Sequence, residues 1–340
     1  MVSAVSTTRS QLSPEFLHRL RAAYLVWCRD FGNAGQSMWT EIDRRRGIIH
    51  DALIRGDHTV PELLLNPRRT VLYYGIEDIY EHEPRDQVHL ESRANQYAAM
   101  LAALAYALGV ARMPNPEGGT QYPREGAPLP PPVETILTTL DAHTGTRIQF
   151  PNPFPDEDGL ATSRGIVGVK AINAIYQACL LRHAAIRREP QVLEIGAGIG
   201  KTAYYARQFG LARYTIVDLP LSLVGQAVFL ALAIDEQAVR FGSEPEQPGK
   251  IDLLSPAQFE ADPRRFSLVL NADSMPEMDR THVLGYIDRM RRDGAYFISI
   301  NHEANAHTVH ELLPAEAHIS RAPYLLRPGY VEERFDFRQS

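Results

Sequence analysis

The hydrophobic rhythm of the chain changes near its middle. From about residue 162 onward, short apolar runs alternate with longer stretches whose apolar residues recur at helical spacing. The short runs predict strands at 191–195, 214–217, 268–271 and 295–300. The longer stretches predict helices at about 201–209, 221–234 and 280–292, the last capped by Asp279 and ended by Gly294. Strand–helix alternation predicts an α/β fold: a mostly parallel sheet with helices on both faces. Residues 322–337 hold two β-like pieces around Pro328-Gly329, which predicts an edge hairpin finishing the sheet.

The first half reads as helical. Residues 1–12 carry no pattern and are expected to be disordered. Ser13-Pro14 suits a helix start, because the hydroxyl can cap free amides and proline fits the first turn. That helix should run to about Phe31, with further helices over 36–112, clearest from 90 to 108. Residues 113–132 are rich in Pro and Gly and predict a loop and a boundary. The division is then 1–132, a helical region that caps the pocket, binds substrate or forms a homodimer, and 133–340, the cofactor-binding domain. A short helix is expected at about 133–143. The stiff segment Phe150-Pro-Asn-Pro-Phe154 suits a lid, a pocket wall or a packed connection.

Composition narrows the function classes. The 340 residues carry a formal net charge of −6, which gives no electrostatic reason to bind nucleic acid. Basic clusters at 44–46 and 289–292 read as solvated helix faces. Two cysteines, Cys28 and Cys179, do not make a disulfide framework; each reads as a small buried apolar residue. No run approaches the ~18 apolar residues of a membrane span, and MVSAVSTTRS lacks a signal-peptide core. A cytoplasmic protein without membrane partners is expected.

The chemistry concentrates at Val192-Leu-Glu-Ile-Gly-Ala-Gly-Ile-Gly-Lys-Thr202, where an apolar strand runs into three alternating glycines and a helix. A phosphate-binding P-loop would need glycine where Ile195 stands. A dinucleotide loop would need its third glycine at 201, which is lysine. Glu194 followed by Gly196, Gly198 and Gly200 fits the pattern that cradles S-adenosylmethionine. The acid suits the ammonium and sulfonium charges of that cofactor and disfavours a pyrophosphate. A turn without ligand is the remaining alternative. Asp218, ending the next strand about twenty residues on, is placed to accept hydrogen bonds from both ribose hydroxyls, and can equally cap the following helix. Asp252 could meet the adenine amino group or lie on a surface loop.

In open parallel sheets the ligand lies beyond the carboxyl ends of the strands. Two such ends are polar: Asn271-Ala-Asp-Ser-Met-Pro-Glu277 and Ser299-Ile-Asn-His-Glu303. His302 is the first choice for a general base, with Asp273 and Glu303 orienting it or acting instead. Asn271 could bind the methionine end of the cofactor, and Asn301 and Glu277 the substrate. A magnesium or calcium ion on Asp273, Glu277 and Glu303 is the less favoured alternative.

With these residues placed, the chain resembles the sugar O-methyltransferase family of secondary-metabolite pathways. The resemblance is carried by Thr162-Ser-Arg-Gly165, Val192–Gly200 with Tyr204-Tyr205, Tyr214–Pro220, Asn271–Met278 and Ser299–Glu303, in order between about 148 and 304. It implies a Rossmann-like class I methyltransferase core, a seven-stranded sheet with a reversed edge strand. It also implies a hydroxyl acceptor on a deoxysugar, sugar nucleotide or glycoside, with S-adenosylhomocysteine as the second product. It draws attention to Arg164, which could pair with the cofactor carboxylate or a sugar-nucleotide phosphate. Lys201 departs from the small or apolar residue expected after the third glycine. The alternatives are methylation of a phenol, carboxylate or amine, and a cofactor-binding scaffold without transfer activity.

Overall fold

The computed structural model describes residues 11–30, 46–77, 87–113, 131–185 and 189–338. The predicted disorder of the first residues and most of the predicted loop at 113–132 lie outside them. Among the described residues the first half holds helices α1 (Pro14–Asp30), α2 (Gly47–Arg55), α3 (Val60–Leu65), α4 (Gln87–Ala107) and α5 (Val133–Thr144). A small antiparallel hairpin, β1 (Leu160–Thr162) and β2 (Gly165–Val167), leads into α6 (Val169–Ala184).

The main sheet follows. Its members are β3 (Val192–Ile195), β4 (Tyr214–Val217), β5 (Val239–Phe241), β6 (Ile251–Leu254), β7 (Leu268–Ala272), β8 (Tyr296–His302), β9 (His318–Pro323) and β10 (Tyr330–Asp336). Their spatial order is β5-β6-β4-β3-β7-β8-β10-β9. The first six pair in parallel, and β10 inserts antiparallel between β8 and β9. A parallel sheet closed by a reversed strand is the Rossmann-like class I methyltransferase arrangement, here with eight strands rather than the expected seven. The extra strand is the short β5.

The alternating direction of strand side chains sorts the sheet into two cores. Val192, Leu268, Leu270, Ile298 and Ile300 face one core, which they share with α1, α6, α7 (Lys201–Gln208) and α8 (Pro220–Ala233). Leu193, Ile195, Val217, Val269 and Phe297 face the other, under α9 (Pro256–Ala261), α10 (Arg280–Asp293) and α11 (Val309–Leu312). Both faces are covered, so the strands are nearly continuous apolar runs. The predicted caps are present. Ser13 Oγ accepts from Phe16 N at 3.1 Å, Asp279 accepts from Thr281 N at 2.8 Å, and Gly294 takes the left-handed conformation that ends α10.

One apolar core runs across the boundary expected at residue 132. Ser13 Oγ donates to Glu236 at 2.6 Å. Trp27 Nε1 donates at 2.9 Å to Gln258 Oε1, which also accepts from Ser255 N in the capping box of α9. The N-terminal helix is therefore tied to the sheet by partly buried polar contacts as well as by packing. Phe150 and Phe154 are buried, and Phe154 packs 4.4 Å from Tyr73, so this proline-rich segment is a packed connection.

Two arginines read as solvated are buried instead. Arg46 donates to the carbonyl of Tyr74 at 3.0 Å. Arg289 donates to the carbonyls of Phe259, Asp262 and Arg264 and pairs with Asp293. Guanidinium is the cation best suited to this, since its five donors can satisfy several carbonyls at once. Burial pushes the Cys179 thiol up to about 11, which leaves it protonated and unreactive near neutrality.

Candidate active site

The glycine loop leaves the carboxyl end of β3. Gly196, Gly198 and Gly200 all have positive φ, which costs glycine nothing and other residues strain. At Gly196 the lack of a side chain also makes room, because a Cβ there would collide with Ser274 Oγ. The loop therefore presents bare backbone to the space above it.

That space is a cavity of two joined lobes, of about 350 and 320 Å³. Ile76, Lys170, Gly196, Gly198, Ala272 and Asp273 border both. The first lobe lies over the ends of β4, β6 and β7 and is bounded by Asp218, Ser255, Glu277, His282 and Tyr286. The second lies between α6 and the C-terminal hairpin and is bounded by Asn173, Gln177, Glu194, Tyr324, Arg327 and Tyr330.

Glu194 is 2 % exposed and opens on the second lobe. Tyr214 OH donates to it at 2.8 Å. Loss of solvent outweighs this bond and the one from Thr202, and pushes the carboxyl up to about 8. An acid held protonated in this way will ionise readily when a cation arrives. Asp218 borders the first lobe. Its Oδ2 accepts from Ala197 N at 3.0 Å and Gln226 Nε2 at 2.6 Å, and Oδ1 accepts from Leu219 N at 2.8 Å. Burial raises it to about 6 against these three donors, so it is ionised at pH 7. Oδ1, with a single donor, retains capacity for a hydroxyl.

Lys201 lies 2.6 Å from Glu77 and 3.6 Å from Glu157, and all three side chains are nearly fully buried. The lysine that departs from the expected small residue thus joins the N-terminal region and the 150–158 segment to the start of α7.

Several predicted site residues lie elsewhere. Asp252 is not at a strand end but inside β6, 5 % exposed, 2.5 Å from both Arg240 and Arg264. Arg240 is its cross-strand partner on β5. The pocket wall beyond β6 is formed by Ser255 and Pro256 instead. Asp252→Ala leaves two buried guanidinium groups with reduced compensation and should destabilise the fold by roughly 3 kcal/mol. Urea denaturation should show this loss, with ligand affinity retained by the folded fraction.

Arg164 sits in the β1–β2 turn, 2.6 Å from Asp141, and borders neither lobe; it fastens the hairpin to α5. Glu303 is exposed and pairs with Arg321 at 2.7 Å, which holds its carboxyl below the usual range. Asn271 is wholly buried. It donates to Ile195 O and Ser274 Oγ, and accepts from Met275 N and Asn301 Nδ2. Asn271 and Asn301 thus brace the ends of β3, β7 and β8, and neither lines the cavity.

His302 also borders neither lobe. Its Nδ1 accepts from Ala304 N at 3.2 Å, which puts the proton of the neutral ring on Nε2. Nε2 lies 3.9 Å from Asp273 Oδ1. The ring therefore points a donor at Asp273 and offers no vacant lone pair as a base. Asp273 is the residue at the junction of the lobes. It is one of two non-glycine residues with positive φ among those described, at 64°. Its Oδ2 pairs with Arg327 Nη1 at 2.5 Å and its Oδ1 accepts from Tyr330 OH. Burial and the neighbouring carboxylate hold the Tyr330 phenol well above its ordinary value, so it remains a donor.

Asp273, Glu277 and His302 have donor atoms mutually within 4.8 Å. Glu303, expected in this cluster, pairs with Arg321 instead. Pattern reading missed Arg327, Tyr330, Ser255 and His282. Arg327 and Tyr330 flank the legible Pro328-Gly329 turn, but nothing local says which way that turn folds.

No protein-family model matches the chain, and no curated protein does. Among solved structures it is similar to a ribosomal protein L11 methylase from Lactobacillus delbrueckii subsp. bulgaricus, at 13 % identity over 55 % of this chain and 89 % of that one, TM-score 0.34. It is similar to a SAM-dependent methyltransferase from Agrobacterium tumefaciens, at 16 % identity over 52 % and 66 %, TM-score 0.33. It is also similar to one from Aquifex aeolicus, at 12 % identity over 47 % and 89 %, TM-score 0.31. Likenesses this distant say nothing of substrate, and it is the chain's own strand order that makes its sheet domain a class I methyltransferase fold.

Proposed function

We propose that the protein is an S-adenosylmethionine-dependent O-methyltransferase acting on a hydroxyl of a small sugar-containing molecule. The observation that carries this reading is the two-lobed cavity over the glycine loop, with Asp218 on one lobe and Glu194 on the other. The residues fit the cofactor. The loop offers backbone where a Cβ cannot stand, Asp218 retains acceptor capacity for the ribose, and Glu194 answers an ammonium. Ser255 and Tyr286 bound the space for the adenine. When bound, S-adenosylmethionine supplies a methyl group made electrophilic by its sulfonium. A pyrophosphate ligand would meet Glu194 and Asp218, two carboxylates, at the glycine loop.

Asp273, bordering both lobes, holds the acceptor hydroxyl and takes its proton. Tyr330 and Arg327 fix its orientation, and His302 directs its Nε2–H toward the same carboxylate. The polar lining of the second lobe, with Asn173, Gln177, Tyr324 and Tyr330, suits a hydroxylated acceptor better than a flat phenol. Ile76 of the N-terminal region borders both lobes and caps them.

Isothermal titration tests the cofactor. S-adenosylhomocysteine should bind, and Asp218→Ala should weaken it by about tenfold or more, since the variant loses charge-assisted hydrogen bonds. Tighter binding of NAD, or unchanged affinity in the variant, overturns the assignment. Methyl-labelled cofactor offered with nucleotide sugars, glycosides and simple phenols should label the first two.

A further inference from the structure

A second cluster of chemically capable side chains lies away from the cavity, on the edge hairpin. Glu333 of β10 is 3 % exposed. Its register partner on β9 is Arg321 and on β8 is Ser299. His310 of α11 brings Nδ1 to 2.7 Å from Glu333 Oε1. His318, the first residue of β9, places Nε2 3.6 Å from the same oxygen. That Nε2 atom is buried and has no hydrogen-bond partner. The two imidazoles stand nearly perpendicular, with centroids 5.5 Å apart. One donor atom from each of the three residues lies within 4.8 Å of the others.

We infer that His310, His318 and Glu333 form a binding site for a divalent transition-metal ion, with zinc the best fit. Two imidazole nitrogens and one carboxylate oxygen suit zinc, whereas magnesium and calcium require oxygen ligands. Zinc bonds of about 2.0–2.2 Å need only a small convergence of donors at this spacing. A buried imidazole nitrogen without a partner is costly, and an ion would satisfy it. His310 is exposed, so the ion has an entry path and water can fill the remaining coordination position. Arg321 Nη1 lies 3.2 Å from Glu333 Oε1 and competes for it. Its guanidinium is also 2.7 Å from Glu303, which retains the arginine once the ion takes Oε1.

The ion would clip α11 to the hairpin that carries Arg327 in its turn and Tyr330 at the start of β10. It would act on the shape of that hairpin and not on the reacting atoms, since none of its three ligands borders the cavity.

The test is calorimetric titration of untagged, chelator-treated protein with zinc chloride at pH 7.5, together with thermal melts. One equivalent should bind and raise the melting midpoint. The His310→Ala/His318→Ala double variant should lose that equivalent and show no zinc-dependent rise. Both histidines are at least partly exposed, and circular dichroism will report whether the variant is folded. Asp273→Asn, which breaks the other candidate cation cluster, should keep the equivalent. Magnesium chloride should not bind at these residues. Absence of zinc binding, an equivalent that survives in the double variant, or one lost instead in Asp273→Asn overturns the proposal.

Discussion

Asp273→Asn should lower turnover by roughly 10²–10⁴-fold, the usual contribution of a positioned base, with little change in affinity for S-adenosylhomocysteine. Asparagine tolerates the left-handed backbone that Asp273 adopts, and it can still accept from Tyr330, so the strand end should survive. What it cannot do is take a proton. Arg327 and Tyr330 hold the aspartate in a fixed orientation, and orientation is a large part of any methyl transfer. His302→Ala separates the two candidates. It removes a donor near Asp273 without removing the proton acceptor, so its effect on turnover should be the smaller. Full activity in Asp273→Asn, with loss in His302→Ala, would return the role of base to the histidine.

Glu194→Gln should weaken S-adenosylhomocysteine binding by roughly 2–5 kcal/mol, the cost of removing one member of a buried charge pair. It should also remove most of a pH dependence. Glu194 in the unliganded protein titrates at about 8 because burial disfavours its anion. A bound ammonium favours that anion, so binding near pH 7 must release a proton. Affinity in the native protein should therefore rise between pH 6 and 7, by close to tenfold per unit if the full proton is released. In Glu194→Gln the slope should be much shallower, with only the end of the Asp218 titration, which burial raises to about 6, left in that range. Stability moves the other way. Between about pH 4.3, where an unfolded glutamate titrates, and about 8, the folded protein holds a proton that the unfolded chain has lost. Stability of the unliganded protein thus falls as pH rises through this window. Equal slopes of affinity against pH in the two proteins would show that the ammonium is not held by this carboxylate.

Most of the sheet domain is legible in the sequence. Strands at 214–217 and 268–271, the caps at Asp279 and Gly294, and the glycine loop are local signals. Backbone sterics and hydrogen-bond capping act within a few residues, so a linear pattern records them. β6 escaped for an equally physical reason. Its second residue is Asp252, and a charge inside a four-residue strand reads as a loop until Arg240 and Arg264 are seen to neutralise it. Those partners come from a neighbouring strand and a connecting segment, and their approach is a product of folding.

The site divides along the same line. Glu194 and Asp218 border the cavity because β3 and β4 end there, and strand ends can be read from sequence. Which of the polar residues after β7 and β8 face the cavity could not be read, since the choice depends on packing between chain-distant elements. Asn271 and Asn301 turned inward to satisfy each other and the backbone of β3. Arg164 went to Asp141 and Glu303 to Arg321. Asp273 was left at the junction, held by two residues of a hairpin more than fifty positions away. Sequence alone determined the strands at 191–195, 214–217, 268–271 and 295–300 and the chemistry available at their ends. Tertiary structure decided which of those groups are used up as mutual partners and which still face the cavity, because hydrogen bonds and ion pairs form between whatever the fold brings within about 3 Å.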